Sequence, residues 1–365
     1  MKKFSNKKMR TGIADLPLHP GRCPAWLFER MRPLAREISQ IIIDEYGTRE
    51  LLLRLSDPMF FQALGCVLAF DWHSSGLTTT TCGALKEALA QNDVVAVAGG
   101  KGKASRKAPE EIENKAEAFG LDEEKLKKAS FLSAKIDSSC IQDGYSLYHH
   151  CFFFDEKGNW AVIQQGMNNA NSYARRYHWF STENFVDAPP ENIAGQKREE
   201  KVLNLVSAVS EDARETSVDV VRDNPSRLRK YFDGQTILFD SDGASLTMPQ
   251  RHEILECDLT KKDWELLNQA YELQPQNYEE LLCLRGMGGR KLRALALVSK
   301  LIYGSELDWS DPVKYCWAHG SKDGYPFPVD RPSYDHTIEF LKNAIQQSKL
   351  GQKEKSMALQ CLSKM

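Results

Sequence analysis

At 365 residues the chain exceeds one ordinary domain, which makes two domains the starting expectation. A 42% hydrophobic and 27% charged composition describes a soluble globular protein with a sizeable core, and a net charge of −2 excludes an overall polybasic character, so any nucleic-acid contact must come from local patches. Nine scattered cysteines without a CxxC pair argue against a disulfide frame or a zinc knuckle and for reduced thiols in the cytoplasm.

The basic start MKKFSNKKMR is followed by Asp15, two prolines and His19 rather than an apolar stretch, so it does not read as a signal peptide. No apolar run reaches membrane-spanning length. Helical spacing of Leu27, Met31, Leu34, Ile38, Ile41 and Ile42 predicts a helix over 24–46, ended by Gly47. Asp57-Pro58 is a start signal for a helix over 59–70. The stretch 71–82, DWHSSGLTTTTC, reads as a polar loop, with a helix over 83–90 behind it. A short apolar strand over 93–98 runs into GGKGKASRK (99–107), a basic loop that lacks the residue order of a nucleotide-binding P-loop. Helices are predicted over 110–118 and 122–131. Apolar runs over 149–155 and 160–165 flank Glu156-Lys-Gly-Asn159, a hairpin signal. After a polar connection over 183–200, a soft boundary falls near 235. Helical segments resume at Asp263, the last helix spans 333–348, and the tail from 351 is polar. The fold class is therefore α+β: a mixed α/β domain (1–235), a small helical domain (236–350) and a polar tail (351–365).

The stretch YEELLCLRGMGGRKLRALALVS (278–299) is the most informative. An apolar helical lead-in meets a Gly286-Met287-Gly288-Gly289 turn and a basic second helix. Glycine permits the sharp turn, and the first amides of a helix form an anion site, here flanked by Arg290 and Lys291. This pattern resembles the helix-hairpin-helix motif, with Leu284, Gly286, Met287, Gly288 and Arg290 at its matching positions. The resemblance implies that the hairpin grips the phosphates of one DNA strand without reading sequence. An ordinary helical hairpin is the alternative. Further on, AHGSKDGYPFPVDR (318–331) precedes the last helix. That order is similar to the DNA glycosylases of the endonuclease III type, in which the aspartate matching Asp330 is catalytic. The hairpin position of the lysine in their bifunctional members holds Arg290 here. An arginine is no amine nucleophile, so lyase chemistry would rest on Lys291.

Other candidates come from the residues themselves. Lys135, Asp137 and Asp143, with Asp71, His73 and the His149-His150 pair, could hold Mg2+ or Mn2+ and a water for phosphodiester hydrolysis; the metal ligands would be Asp137 and Asp143. Adjacent on a strand, His149 and His150 face opposite sides and cannot share one ion. Lys101, Lys103 and Arg106 form a basic track, and Arg175-Arg176 among aromatics could stack on bases and grip phosphate. Asp71, His73, Lys135, Asp137, Asp143 and Asp330 are thus the candidate catalytic residues.

Blocks over nearly the whole chain resemble the domain of unknown function 763 family: RTGIADLPLHPGRCPAWLFERM (10–31), FFQALGCVLAFDWHSSGLTTTTCGALKEAL (60–89), VAGGKGKASRKAPEEI (97–112), QDGYSLYHHCFFFDEKGNWAVIQQGMN (142–168), ARRYHW (174–179) and AHGSKDGYPFPVDR (318–331). This implies that both halves belong to one protein type and carries no activity with it. The expectation is a DNA-binding protein of DNA processing or repair, most simply a metal-dependent nuclease. The alternatives are a glycosylase using Asp330 and a non-catalytic DNA-binding adaptor. DNA is the expected partner, no membrane is involved, and a homo-oligomer is compatible with the sequence.

Overall fold

A computed structural model of the protein describes residue 18 and residues 23–68, 74–187, 192–195, 198–223, 261–313, 331–348 and 351–362. The fold is α+β. Its centre is a five-stranded antiparallel sheet in the order β1-β3-β4-β5-β6, formed by β1 (Val95–Lys101), β3 (Ser146–Asp155), β4 (Trp160–Asn168), β5 (Tyr173–Phe180) and β6 (Asn192–Ala194). A separate two-stranded ribbon pairs β2 (Ile141–Gln142) with β7 (Leu203–Asn204).

Alternation along the strands divides the core into two layers. Cys151, Phe153, Ala161 and Ile163 point to one face. There they pack on α1 (Ala25–Tyr46), α2 (Thr48–Leu55), α3 (Pro58–Val67) and α4 (Ser75–Ala88), through Met31, Ile38, Leu51, Phe61 and Leu77. Phe152, Phe154, Val162, Tyr177 and Trp179 point to the other. That face is covered by α5 (Ala108–Phe119), α6 (Glu123–Lys135) and α7 (Glu211–Arg222), with α8 (Lys261–Leu273), α9 (Tyr278–Cys283) and α10 (Gly289–Tyr303) continuing the same apolar cluster. Phe61 and Phe152 to Phe154 are almost or wholly withdrawn from water, each contributing about 1.5–3 kcal/mol by burial alone. Two last helices, α11 (Arg331–Gln347) and α12 (Gln352–Leu362), return to the first layer, where Leu341, Ile345 and Ala358 join its core.

Local chemistry explains the ends of these elements. Asp57 caps α3 by accepting from the Met59 and Phe60 amides, with Pro58 in the first turn, as its sequence signal predicted. The predicted β3–β4 hairpin is present. The Asp155 carboxylate accepts from the Lys157 and Asn159 amides, and Gly158 takes φ of 80°.

Two expectations need correction. The Thr-rich run is not loop: α4 begins at Ser75 and buries Leu77, Thr78, Thr81, Cys82 and Leu85 along one stripe, a helical period that the four consecutive threonines disguise. The polar tail contains α12, which buries Ala358. The boundary near 235 falls outside the described residues, and α8–α10 share one apolar cluster with the sheet.

Candidate functional site

The two sheet faces place the candidate residues. Asp137 lies in a π-type turn (Ile136–Cys140) directly after α6 and is buried. Its Oδ2 accepts from Gln164 Nε2 at 2.6 Å and from Trp179 Nε1 at 2.8 Å. Burial raises its pKa well above the usual carboxylate range; the Trp179 bond opposes the shift and the Asp143 charge adds to it. Gln164 links Asp137 to His150, whose Nδ1 donates to Gln164 Oε1 (2.9 Å) while its Nε2 accepts from Ser130 Oγ (2.8 Å). Both ring nitrogens are therefore satisfied, and burial lowers the pKa of His150, keeping the ring neutral.

Asp143 belongs to a second network. It accepts from Arg175 Nη1 at 3.0 Å, from Tyr177 Oη at 2.7 Å and from the Tyr145 amide at 3.0 Å. Arg175 also donates through both terminal nitrogens to Asp311, and Asp311 accepts from the Glu199 and Val313 amides. Burial disfavours the guanidinium, but Asp143 and Asp311 outweigh it and hold the Arg175 pKa above its ordinary value. Burial raises the Asp143 carboxyl, partly offset by Arg175.

Arg175 and Arg176 are thus not a surface grip, and that expectation is corrected: both are fully buried. Antiparallel pairing turns them to opposite faces of β5. Arg176 donates to Gln62 Oε1 and Thr78 Oγ1, and through Nε to His178 Nε2 at 2.9 Å. Asp137 and Asp143 do not present open carboxylates for Mg2+ or Mn2+. Among the described residues, no third acid, histidine or cysteine converges with them. Asp71, His73 and Asp330 lie outside the described residues.

Lys101, Lys103 and Arg106 are exposed, at the end of outer strand β1 and on the 3-10 turn (Gly102–Lys107) that follows it. The other basic cluster is at the glycine turn between α9 and α10. Asn277 caps α9 by accepting from the Glu280 amide, and Leu281 and Leu282 are buried. Gly286 takes φ of 93°, Met287 is fully buried and anchors the turn, and Gly288 is extended at φ −98°. Positive φ is thus taken at Gly286 and not at Gly288. Gly289 opens α10 against the π-type turn, where an added Cβ would lie 3.4 Å from Ser139 and where its carbonyl accepts from Gln142 Nε2 at 2.7 Å. Arg285, Gly286 and Arg290 are exposed. Lys135, at the end of α6, is brought to this turn. Burial lowers its pKa; Cys140 and Cys283 oppose the shift, and the nearby Lys291 ammonium adds a smaller lowering. The base of the hairpin faces a cleft of about 570 Å3 in which Asp187, Glu211, Glu215, Asp219 and Glu279 outnumber Arg214 and Arg222.

One further convergence lies on the first sheet face. His149 and Cys151, two residues apart on β3, and Cys82 on α4 bring an imidazole nitrogen and two thiol sulfurs within 4.8 Å of one another, all buried. Among the described residues, this is the group whose donors could hold a metal. The His149-x-Cys151 spacing placed two ligands on one face of a strand; nothing in the sequence near Cys82 could have added the third. His149 and His150 do face opposite sides, as adjacent strand residues must.

The fold and these sites define an α+β protein in which helices cover both faces of an antiparallel sheet and a helical hairpin is fixed to one edge of its core. Residues 12–329 match the protein family of unknown function DUF763, and the chain belongs to that family. No curated protein and no solved structure matches it.

Proposed function

We propose that the protein binds DNA through the turn between α9 and α10, as a helix-hairpin-helix that grips backbone phosphates in DNA processing or repair. The observation that carries this is Gly288. Its φ is open to any residue, and an added Cβ would meet nothing nearer than 4.0 Å. Neither conformation nor internal packing calls for glycine there, whereas close approach of a ligand to the backbone does. The first amides of α10, with Arg290 and Lys291 beside them, supply the charge that a phosphate would meet.

The geometry favours binding over hydrolysis by Asp137 and Asp143, because both carboxylates are buried and already accept from fixed donors. A second reading, base excision with an amine nucleophile, is favoured by Lys135: burial beside the same turn lowers its pKa, in the direction of the free amine. Borohydride trapping of a covalent adduct on abasic DNA, lost in Lys135→Arg, tests it; incubation with Mg2+ or Mn2+ and intact duplex tests hydrolysis.

For binding itself, the decisive measurement is duplex affinity against salt for Arg290→Glu combined with Lys291→Glu. The double variant should melt like the parent, bind at least tenfold more weakly at low salt, and lose about 2 from the slope of log affinity against log salt. Unchanged affinity and slope would overturn the proposal.

A further inference from the structure

Two facts about the Cys82–His149–Cys151 group call for an explanation. The three donors come together from two elements at the heart of the first layer, where neither catalysis nor solvent contact accounts for them. Cys82 lies one helical turn beyond Thr78, which bonds Gln165, and Gln165 is the β4 partner of His149 in the sheet register. The helix thus sets the Cys82 sulfur over the β3 pair. In addition, both ring nitrogens of His149 lack a hydrogen-bond partner among the described residues, although the residue is only 1% exposed. His150, next to it on β3, and His178 on β5 are each satisfied at both nitrogens. An orphaned buried imidazole costs about 1–3 kcal/mol, which makes it a feature in need of a partner.

We propose that Cys82, His149 and Cys151 form a binding site for a thiophilic d10 cation, zinc or cuprous copper. Two thiolates and one neutral imidazole are the donors such ions prefer, and magnesium or manganese would not choose them. Around zinc at tetrahedral angles the donor atoms would stand about 3.3–3.8 Å apart, so closure requires at most about 1 Å of side-chain movement. Binding forms two metal–sulfur bonds and one metal–nitrogen bond and releases the thiol protons to solvent, with no change in oxidation state. Zinc with two thiolates is neutral and takes a fourth donor. Cuprous copper leaves one negative charge on a three-coordinate centre, next to the positive charges of Arg176 and Lys101, which act on Cys82 and His149 respectively. The site would tie α4 to the central strand and so stabilise the first layer, independently of any DNA contact.

The test uses the full chain, produced in zinc- and in copper-supplemented media and purified under anaerobic reducing conditions. The expected result is an equimolar amount of one of the two metals retained through gel filtration, the metal retained identifying the ion. Its removal by a chelator should lower Tm by several degrees. Cobalt loading should give a sulfur-to-metal charge-transfer band that disappears in Cys82→Ser and in Cys151→Ser. Because buried variants can fail to fold, the chelator-dependent melting of the unaltered protein stands as a separate reading. Retention of neither metal, a chelator-insensitive Tm, a cobalt band unaffected by both serine variants, or a Cys82–Cys151 disulfide in the protein as purified would each overturn the proposal.

Discussion

The sheet interior and the hairpin tip use the same residue types to opposite ends. Arg175 and Arg176 are wholly buried, each donating to oxygens or an imidazole nitrogen fixed by the fold. Arg285 and Arg290 at the tip are exposed, and Lys291 is half-buried beside them. A buried guanidinium held by fixed acceptors is a structural tie; a guanidinium facing water beside a helix start can meet an anion. Charge in a sequence thus acquires its meaning from burial, and the largest effects of breaking it should come from the interior.

Asp311 is the sharpest place to break the interior. It joins the segment after α10 to β5 through Arg175, and its side chain is almost wholly buried. Replacing it with asparagine removes one of two counter-charges and leaves Asp143 alone against the guanidinium. Asp311→Asn should cost about 3–5 kcal/mol, the range for breaking a buried ion pair, read as a lower urea midpoint. A loss below about 1 kcal/mol would mean that the Arg175 network is not the tie between these segments.

The hairpin should give a smaller effect, and one that splits between two glycines. Gly286→Ala forces a side chain to φ of 93° and should destabilise by about 1–2 kcal/mol, although its Cβ would have room beside Leu266. Gly288→Ala, with open space and an ordinary φ, should change stability by less than about 0.5 kcal/mol and yet weaken DNA binding severalfold. Equal stability losses at the two positions, with no change in affinity at Gly288, would reduce the turn to an ordinary helical hairpin.

How far the sequence foretells this arrangement follows from range. Local signals hold: the Asp57-Pro58 cap, the Glu156–Asn159 hairpin, the opposed histidines and the glycine turn all depend on neighbours within a few residues. The misses are long-range. Arg175-Arg176 reads as a cationic pair because nothing nearby announces Asp143, Asp311 or Gln62, which meet them only once β5 is in the sheet. Lys135 and the hairpin are separated by more than half of the sequence that follows Lys135, and the π-type turn brings them together. Cys82 has no local partner, and its neighbours His149 and Cys151 arrive with β3.

The pH dependence of stability separates a buried charge from a buried acid. Asp137 has its pKa raised chiefly by burial, starting from an ordinary value of 3.8. Above about pH 3.8 the unfolded chain has released this proton while the folded protein still holds it. The folded state therefore binds more protons in that window, and stability falls as pH rises from 3.8 to the raised folded value. Asparagine keeps an oxygen to accept from Gln164 and Trp179 and does not titrate. Asp137→Asn should thus remove this downward slope, so that its Tm gains on the parent as pH rises through the window while both converge toward a constant offset in acid. Parallel curves for the two proteins would show that Asp137 is ionised inside the fold. It would then be a charge stabilised by its donors, like its neighbour Asp143 beside Arg175.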